Sequence, residues 1–209
     1  MTIKTRDRII IAARQMFNDL GYGNVTTAAL AAKVGIAEGN LWYHFNNKNA
    51  LLHAITENFN DHIAHRLSFR PSQTPDADII GEYLILLNHY ETELREYRFL
   101  YRDQVDFNDH SNAMLSRLPE FYRATQDQLK QFYEGMIAAS ILDWAQDRVA
   151  DLTVNATIII RFALEYQREN GQPVDAGSGA VRRVFAQHLT LFEHRLLPQA
   201  AQRLRAAFT

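Results

Sequence analysis

The chain has 209 residues, 47% of them hydrophobic, with no cysteine and a formal net charge of −2. That length can bury a full core and hold one large or two small domains. The missing thiols exclude disulfides, thiolate catalysis and cysteine-ligated zinc, and fit a reducing compartment. No charge-free apolar run approaches the roughly 20 residues that cross a bilayer, and residues 1–4 lack a signal peptide's apolar centre, so a soluble, cytoplasmic protein is expected.

The small net charge hides an asymmetry. Residues 1–55 hold six Lys/Arg (Lys4, Arg6, Arg8, Arg14, Lys33, Lys48) against three acids (Asp7, Asp19, Glu38), a balance of +3 that leaves −5 on residues 56–209. Attraction for phosphate therefore sits at one end. A single +3 module attracts DNA weakly, so a pair of modules, with twice the phosphate contacts, is expected.

Residues 5–20 place Ile9, Ile10, Ala13, Phe17 and Leu20 at helical spacing, with Thr5 as the expected cap and Gly21 as the stop. A second helix opens at Thr26, whose hydroxyl can accept from a first-turn amide, while Val25 and Leu30 have the spacing of a hydrophobic staple. Ala28, Ala29, Ala31 and Ala32 carry so little bulk that another helix can cross closely. Gly35 ends this helix, because only glycine enters the left-handed conformation without a Cβ clash. Residues 38–44 resume a helical pattern with Leu41 and Phe45 facing inward, and Glu38, Gly39, Asn40, Trp42, Tyr43 and His44 largely outside. Seven residues are too few for a stable isolated helix. A short polar and aromatic helix, held by a glycine turn on a small-residue helix, is the helix-turn-helix pattern, whose second helix enters the DNA major groove.

Asn46 and Asn47 supply a cap for a long helix over residues 48–69, with Leu52, Ile55, Phe59 and Ile63 on one face, expected to link two domains. Residues 70–76 contain two prolines, and Thr74 and Pro75 read as cap and first helical position of the next helix. Beyond Asp76 every long segment is helix-periodic: 76–94, 97–108, 112–138 with a break or kink near Pro119, 142–149, 152–170 and 179–208 with a kink at Pro198. Residues 171–179 read as a flexible loop. The expected fold is all-α, with a three-helix DNA-binding domain over 1–47 and a helical bundle over 48–209.

Several elements of residues 1–51 occur together, in order and with fixed gaps: a first helix closing at Gly21-Tyr22, then Thr26-Thr27-x-x-Leu30-Ala31-x-x-Val34-Gly35-Ile36, then Gly39-x-Leu41-x-Tyr43-His44-Phe45, then Lys48-x-x-Leu51. On these residues the N-terminal region resembles the DNA-binding domain of the TetR family of bacterial transcriptional regulators. The resemblance implies that Glu38, Gly39, Asn40, Trp42, Tyr43 and His44 face DNA and that Thr26, Thr27 and Lys48 anchor its backbone. By residue type, Thr27, Asn40, Tyr43, His44 and Lys48 can donate to phosphate oxygens, and Gly39 permits close backbone approach. Glu38 can only accept, which suits a cytosine amino group, or it can simply complement the helix dipole. Ala37, Asn40 and Trp42 stand where the family often has serine, threonine and tyrosine, and Ala28 lacks a common long basic side chain.

The resemblance further implies a homodimer that binds a near-palindromic double-stranded operator, pairs through the helices at 152–170 and 179–197, and is released by a small-molecule effector. The plainer reading of the two long helices is core, and the same holds for the many rings of the second domain. An effector pocket there would draw on His89, Tyr101, Arg102, Asp106, Phe121, Tyr122, Phe162 and Tyr166. His62 and His65 lie three apart, but nothing in the sequence completes a metal site around them, and no cofactor is expected. Neither a nucleophile elbow, nor a P-loop, nor paired Glu-x-x-His motifs occur, so enzymatic activity is not expected. An all-α interaction or ligand-binding protein without DNA activity is the alternative.

Overall fold

The computed structural model describes residues 3–74, 76–107, 109–175 and 177–208. Among them the order is α1 (Thr5–Leu20), α2 (Thr27–Val34), α3 (Glu38–His44), α4 (Lys48–Ser68), α5 (Ile79–Arg102), α6 (Asp109–Ala138), α7 (Val149–Glu169), α8 (Ala180–Leu189) and α9 (Pro198–Phe208). Three single helical turns, Gln104–Phe107, Gln146–Arg148 and Glu193–Arg195, punctuate the second half. The described residues contain no strand, only one isolated bridge between Leu142 and Leu196. The all-α expectation holds.

The chain divides into two compact units, Met1–Ala64 with Glu93–Arg117, and His65–Thr92 with Leu118–Thr209. In the first, Ile9, Ile10, Phe17, Leu30, Leu41 and Leu52 form a fully covered core. An aromatic cluster extends it: Phe17 meets Tyr22 edge-on at 5.0 Å and Phe99 at 5.2 Å, and Tyr22 meets Phe107 at 5.1 Å. Each such pair adds roughly 0.5–1.5 kcal/mol beyond the area it buries. Polar side chains fasten the end of α1 inside this unit. Asn18, almost fully buried, donates to the carbonyls of Arg95 (3.2 Å) and Glu96 (2.8 Å) and accepts from the Phe99 amide (3.0 Å). Arg98 and Arg102 both donate to the Asn18 carbonyl at 3.0 Å, and Asp103 accepts from the Tyr22 amide at 2.7 Å. The carbonyl groups that a helix terminus leaves bare thus find guanidinium partners.

In the second unit the interior is aromatic with a polar centre. The hydroxyl of Tyr83 lies 2.6 Å from His188 Nε2 and 3.2 Å from the hydroxyl of Tyr133. All three side chains are fully buried, and His188 Nδ1 has no hydrogen-bond partner. Desolvation pushes the imidazole down to about 3, so it is neutral at physiological pH. Nearby, the fully buried guanidinium of Arg66 donates to Gln128 (2.7 Å) and Thr125 (3.2 Å) and lies 4.3 Å above the Tyr90 ring.

Several helix boundaries differ from the sequence expectation. Lys4 precedes α1 and contributes no side-chain cap, so Thr5 is the first helical residue. The cap of α5 is Asp78, which accepts from the Gly81 amide at 3.1 Å, whereas Thr74 lies in a preceding turn closed by its carbonyl and the Ala77 amide, and Pro75 falls outside the described residues. The segments expected at 76–94 and 97–108 are one helix, α5, followed by the short turn at Gln104–Phe107. Nothing between them breaks a helix; the apolar phase is lost because Tyr97, Arg98, Phe99 and Leu100 are all buried and the helix is covered on every side. Pro119 lies inside α6, so of the break or kink expected there the helix shows no break. The segment expected at 142–149 is only the turn Gln146–Arg148, and the helix expected over 179–208 is α8 and α9 with Pro198 opening the latter. Between them Asp143 donates its amide to the Arg195 carbonyl and Leu197 to that of Ile141 (both 2.9 Å), so the chain exchanges helical bonds for cross-chain ones there.

Candidate nucleic-acid interface

Three local devices present α3. Thr26 accepts from the Ala29 amide at 3.2 Å and so caps α2. Gly35, at φ 76° and ψ 40°, ends it: the Gly35 and Ile36 amides both reach back to the Ala31 carbonyl at 3.0 Å. Arg8 of α1 donates to the Val34 carbonyl at 2.6 Å, setting a cation where the α2 dipole is negative. Leu41 and Phe45 then bury α3 on the rest of the unit, at 1% and 3% exposure. Arg6 lies 5.0 Å over the Phe45 ring.

The outer side of α3 is open. Glu38, Gly39 and Asn40 are exposed, and Tyr43 is 86% exposed, its ring edge-on to His44 at 5.3 Å. Trp42 and His44 are half-buried, a partial departure from the expectation that both lie outside. A Cβ placed on Gly39 would meet nothing within 4 Å, so the first turn is open to a close neighbour. Asn47 caps α4 by accepting from the Ala50 amide at 2.8 Å.

Two of the residues expected to anchor phosphates are engaged inside the chain. The hydroxyl of Thr27 donates to Glu38 Oε1 at 2.5 Å, joining the first residue of α2 to the first of α3. Lys48 donates to the Tyr22 carbonyl and lies 4.2 Å over the Tyr22 ring. Desolvation lowers the pKa of its ammonium, with Asp106 acting in the opposite sense. Thr26 is exposed, and its hydroxyl proton is not used by its capping bond.

The eight residues expected to line an effector pocket divide between the units. In the first, Tyr101 donates to Glu93 and packs edge-on to Phe59 at 5.6 Å, Arg102 bonds the carbonyls of Phe17 (2.7 Å) and Asn18, and Asp106 is exposed beside Gly23. In the second, His89 packs against His65 at 5.4 Å, Phe121 against Tyr122 at 5.6 Å, and the Tyr122 hydroxyl accepts from Arg161 at 3.0 Å. Phe162 and Tyr166 are 50% and 62% exposed and continue Val154 and Ile158 in a stripe repeating every four residues along α7. Of the apolar residues in 180–197, Val184, Phe185, Leu189 and Phe192 are buried inside the unit, while Leu197 is 52% exposed. No local sequence pattern marks the Tyr83, Tyr133 and His188 cluster, whose members are 50 and 55 residues apart.

A glycine-ended helix carrying a short open helix, on an otherwise helical chain, defines a helix-turn-helix protein. The profile described as "Bacterial regulatory proteins, tetR family" matches residues 9–55, and that described as "Bacterial transcriptional repressor" matches 58–204. The chain belongs to the TetR family. It is similar to the class C tetracycline repressor of Escherichia coli, 40% identical over 52 residues, which are 25% of this chain and 24% of that protein. It is also similar to the helix-turn-helix regulator TtgR of Pseudomonas putida, 36% identical over 79 residues, or 37% of each chain. The match thus spans 24% and 37% of these curated relatives. A TetR-family regulator from Marinobacter aquaeolei superposes with a TM-score of 0.76 over 99% of this chain and 98% of its own, at 25% identity. The complex of SmeT with triclosan shares the fold, with a TM-score of 0.54, 16% identity and coverage of 94% and 93%. No helix among the described residues is long and apolar enough to cross a membrane.

Proposed function

We propose that the protein is a cytoplasmic, non-enzymatic, ligand-responsive transcriptional regulator that binds a near-palindromic operator as a homodimer and is released by a small molecule. The observation that carries the reading is the open edge of α3. Its outward side holds Asn40 and Tyr43, whose side chains no hydrogen bond among the described residues engages, while its inner side is fixed by Leu41, Phe45 and the Gly35 turn. Free donors on a rigid short helix suit phosphate and base edges. Thr26, Asn40, Trp42, Tyr43 and His44 are the contacts this reading favours, with Gly39 allowing approach; Lys48 reaches DNA only by leaving the Tyr22 carbonyl.

The stripe of Val154, Ile158, Phe162 and Tyr166 on α7 supports the dimer, since a row of large apolar side chains at 42–62% exposure gains by meeting a copy of itself. A twofold pair sets two α3 helices one turn of DNA apart, about 34–36 Å. An effector that favours a different separation weakens the twin grip. Repression lifted by ligand is the sense proposed here.

The test is a mobility shift on an operator selected in vitro from random duplex DNA. Asn40→Ala with Tyr43→Ala should abolish the shift while helix content and dimer mass persist. An unchanged shift removes α3 as the reading element.

A further inference from the structure

The shortest polar contact on the proposed reading face joins Thr27 to Glu38, and it decides what both can do. The Thr27 hydroxyl has one proton, and Glu38 Oε1 takes it at 2.5 Å. A hydroxyl donating there cannot at the same time donate to a phosphate, and its remaining lone pairs only repel one. The carboxylate in turn is fixed by one oxygen on α2, at the start of α3, where the residue is exposed. Its second oxygen is left to accept from whatever enters the groove.

The geometry points to Thr27 and Glu38 as one base-reading unit that selects cytosine: Glu38 reads, and Thr27 is a positioning residue rather than a backbone anchor. This rests on the operator-reading role proposed above. The selection follows from the base edges. Guanine and thymine offer acceptors in the major groove, which repel a carboxylate. Adenine's amino donor lies between two acceptors, its own N7 and the O4 of the paired thymine, so a carboxylate reaching it is opposed on both sides, whereas the cytosine amino group has an acceptor, O6 of the paired guanine, on one side only. A carboxylate also loses affinity wherever it faces phosphate, so an acid on this face is explained by discrimination rather than by attraction.

The experiment is parallel operator selection from random duplex DNA with the wild-type protein, Glu38→Gln, Thr27→Val and Thr27→Ser, each also measured for its salt slope on the wild-type operator. The wild type should prefer cytosine at one symmetric position by about ten- to a hundredfold. Glu38→Gln should move that same position towards adenine, which an amide can bind with both its atoms. Thr27→Val should relax the same position and leave the salt slope unchanged, because no phosphate contact is lost, while Thr27→Ser should restore the preference. The Thr26 cap is untouched in all of them, and helix content checks the fold.

The inference is overturned if Thr27→Val weakens every sequence alike and lowers the salt slope by about one, the signature of a phosphate anchor. It is equally overturned if Glu38→Gln leaves every base preference in place. A wild-type protein that enriches no sequence sinks the operator-reading role itself, a result distinct from either of these.

Discussion

Replacing Gly35 by alanine puts the turn between α2 and α3 to a test of sign as well as size. The residue sits at φ 76° and ψ 40°, where an L side chain is strained by about 1–2 kcal/mol. A Cβ built there meets nothing within 4 Å, so no packing cost is added. Alanine also stiffens the unfolded chain, which returns about 0.4–1 kcal/mol. The net expectation is a loss of about 1 kcal/mol. Trp42 lies in α3 and the chain has one other tryptophan, Trp144, so a Trp144→Phe background makes Trp42 the sole reporter. In urea unfolding followed by its fluorescence, Gly35→Ala should lower the midpoint by about 0.3–1 M at an unchanged slope. Gly35→Asn should lose less, since asparagine tolerates this backbone. A neutral or stabilising alanine would refute the left-handed turn, because in an ordinary helical conformation the same change gains stability.

Three further outcomes are expected. Asn18→Ala removes a buried side chain with three hydrogen bonds to α5 and should cost about 2–3 kcal/mol in the same assay; a loss under 0.5 kcal/mol would mean that the fastening is idle. His188, neutral and buried, takes up no proton until about pH 3, whereas the unfolded chain does so near 6.5, so its contribution is complete above 6.5 and falls as pH drops towards 3. Between pH 6 and 5 the stability of the wild type should fall by about 1 kcal/mol relative to His188→Gln, and parallel profiles would contradict the buried neutral imidazole. Ile158→Arg with Phe162→Arg should give monomers by sedimentation with helix content intact, and persisting dimers would move the interface off α7.

What the sequence disclosed follows the range of the forces involved. The first four helices were legible to the residue or nearly so, because Thr26, Gly35 and Asn47 each act on a neighbour within five positions. The open side of α3 was legible for the same reason: Leu41 and Phe45 leave only one face free. The continuity of α5 was hidden, since burial on all sides around Tyr97 erased the period that reveals a helix. The break before α9 was hidden in the opposite way, because Leu189, Phe192 and Leu196 keep the helical spacing through it. Side-chain engagement across long separations was out of reach. Arg102 meets Phe17 of α1 and Asp103 the Tyr22 amide just beyond it, each more than 80 positions away, and Lys48 turns to a carbonyl 26 positions back. Thr27 and Glu38 each stand out in the sequence, but their bond depends on how the Gly35 turn folds α3 over α2.

The most direct measurement is a hydroxyl-radical footprint of the protein on its selected operator, read at single-base resolution. Two equivalent protected patches are expected, centred about 10–10.5 base pairs, or 34–36 Å, apart, both lost when Tyr43 and Asn40 are alanine. A single patch, or two that survive those substitutions, would contradict the twofold reading.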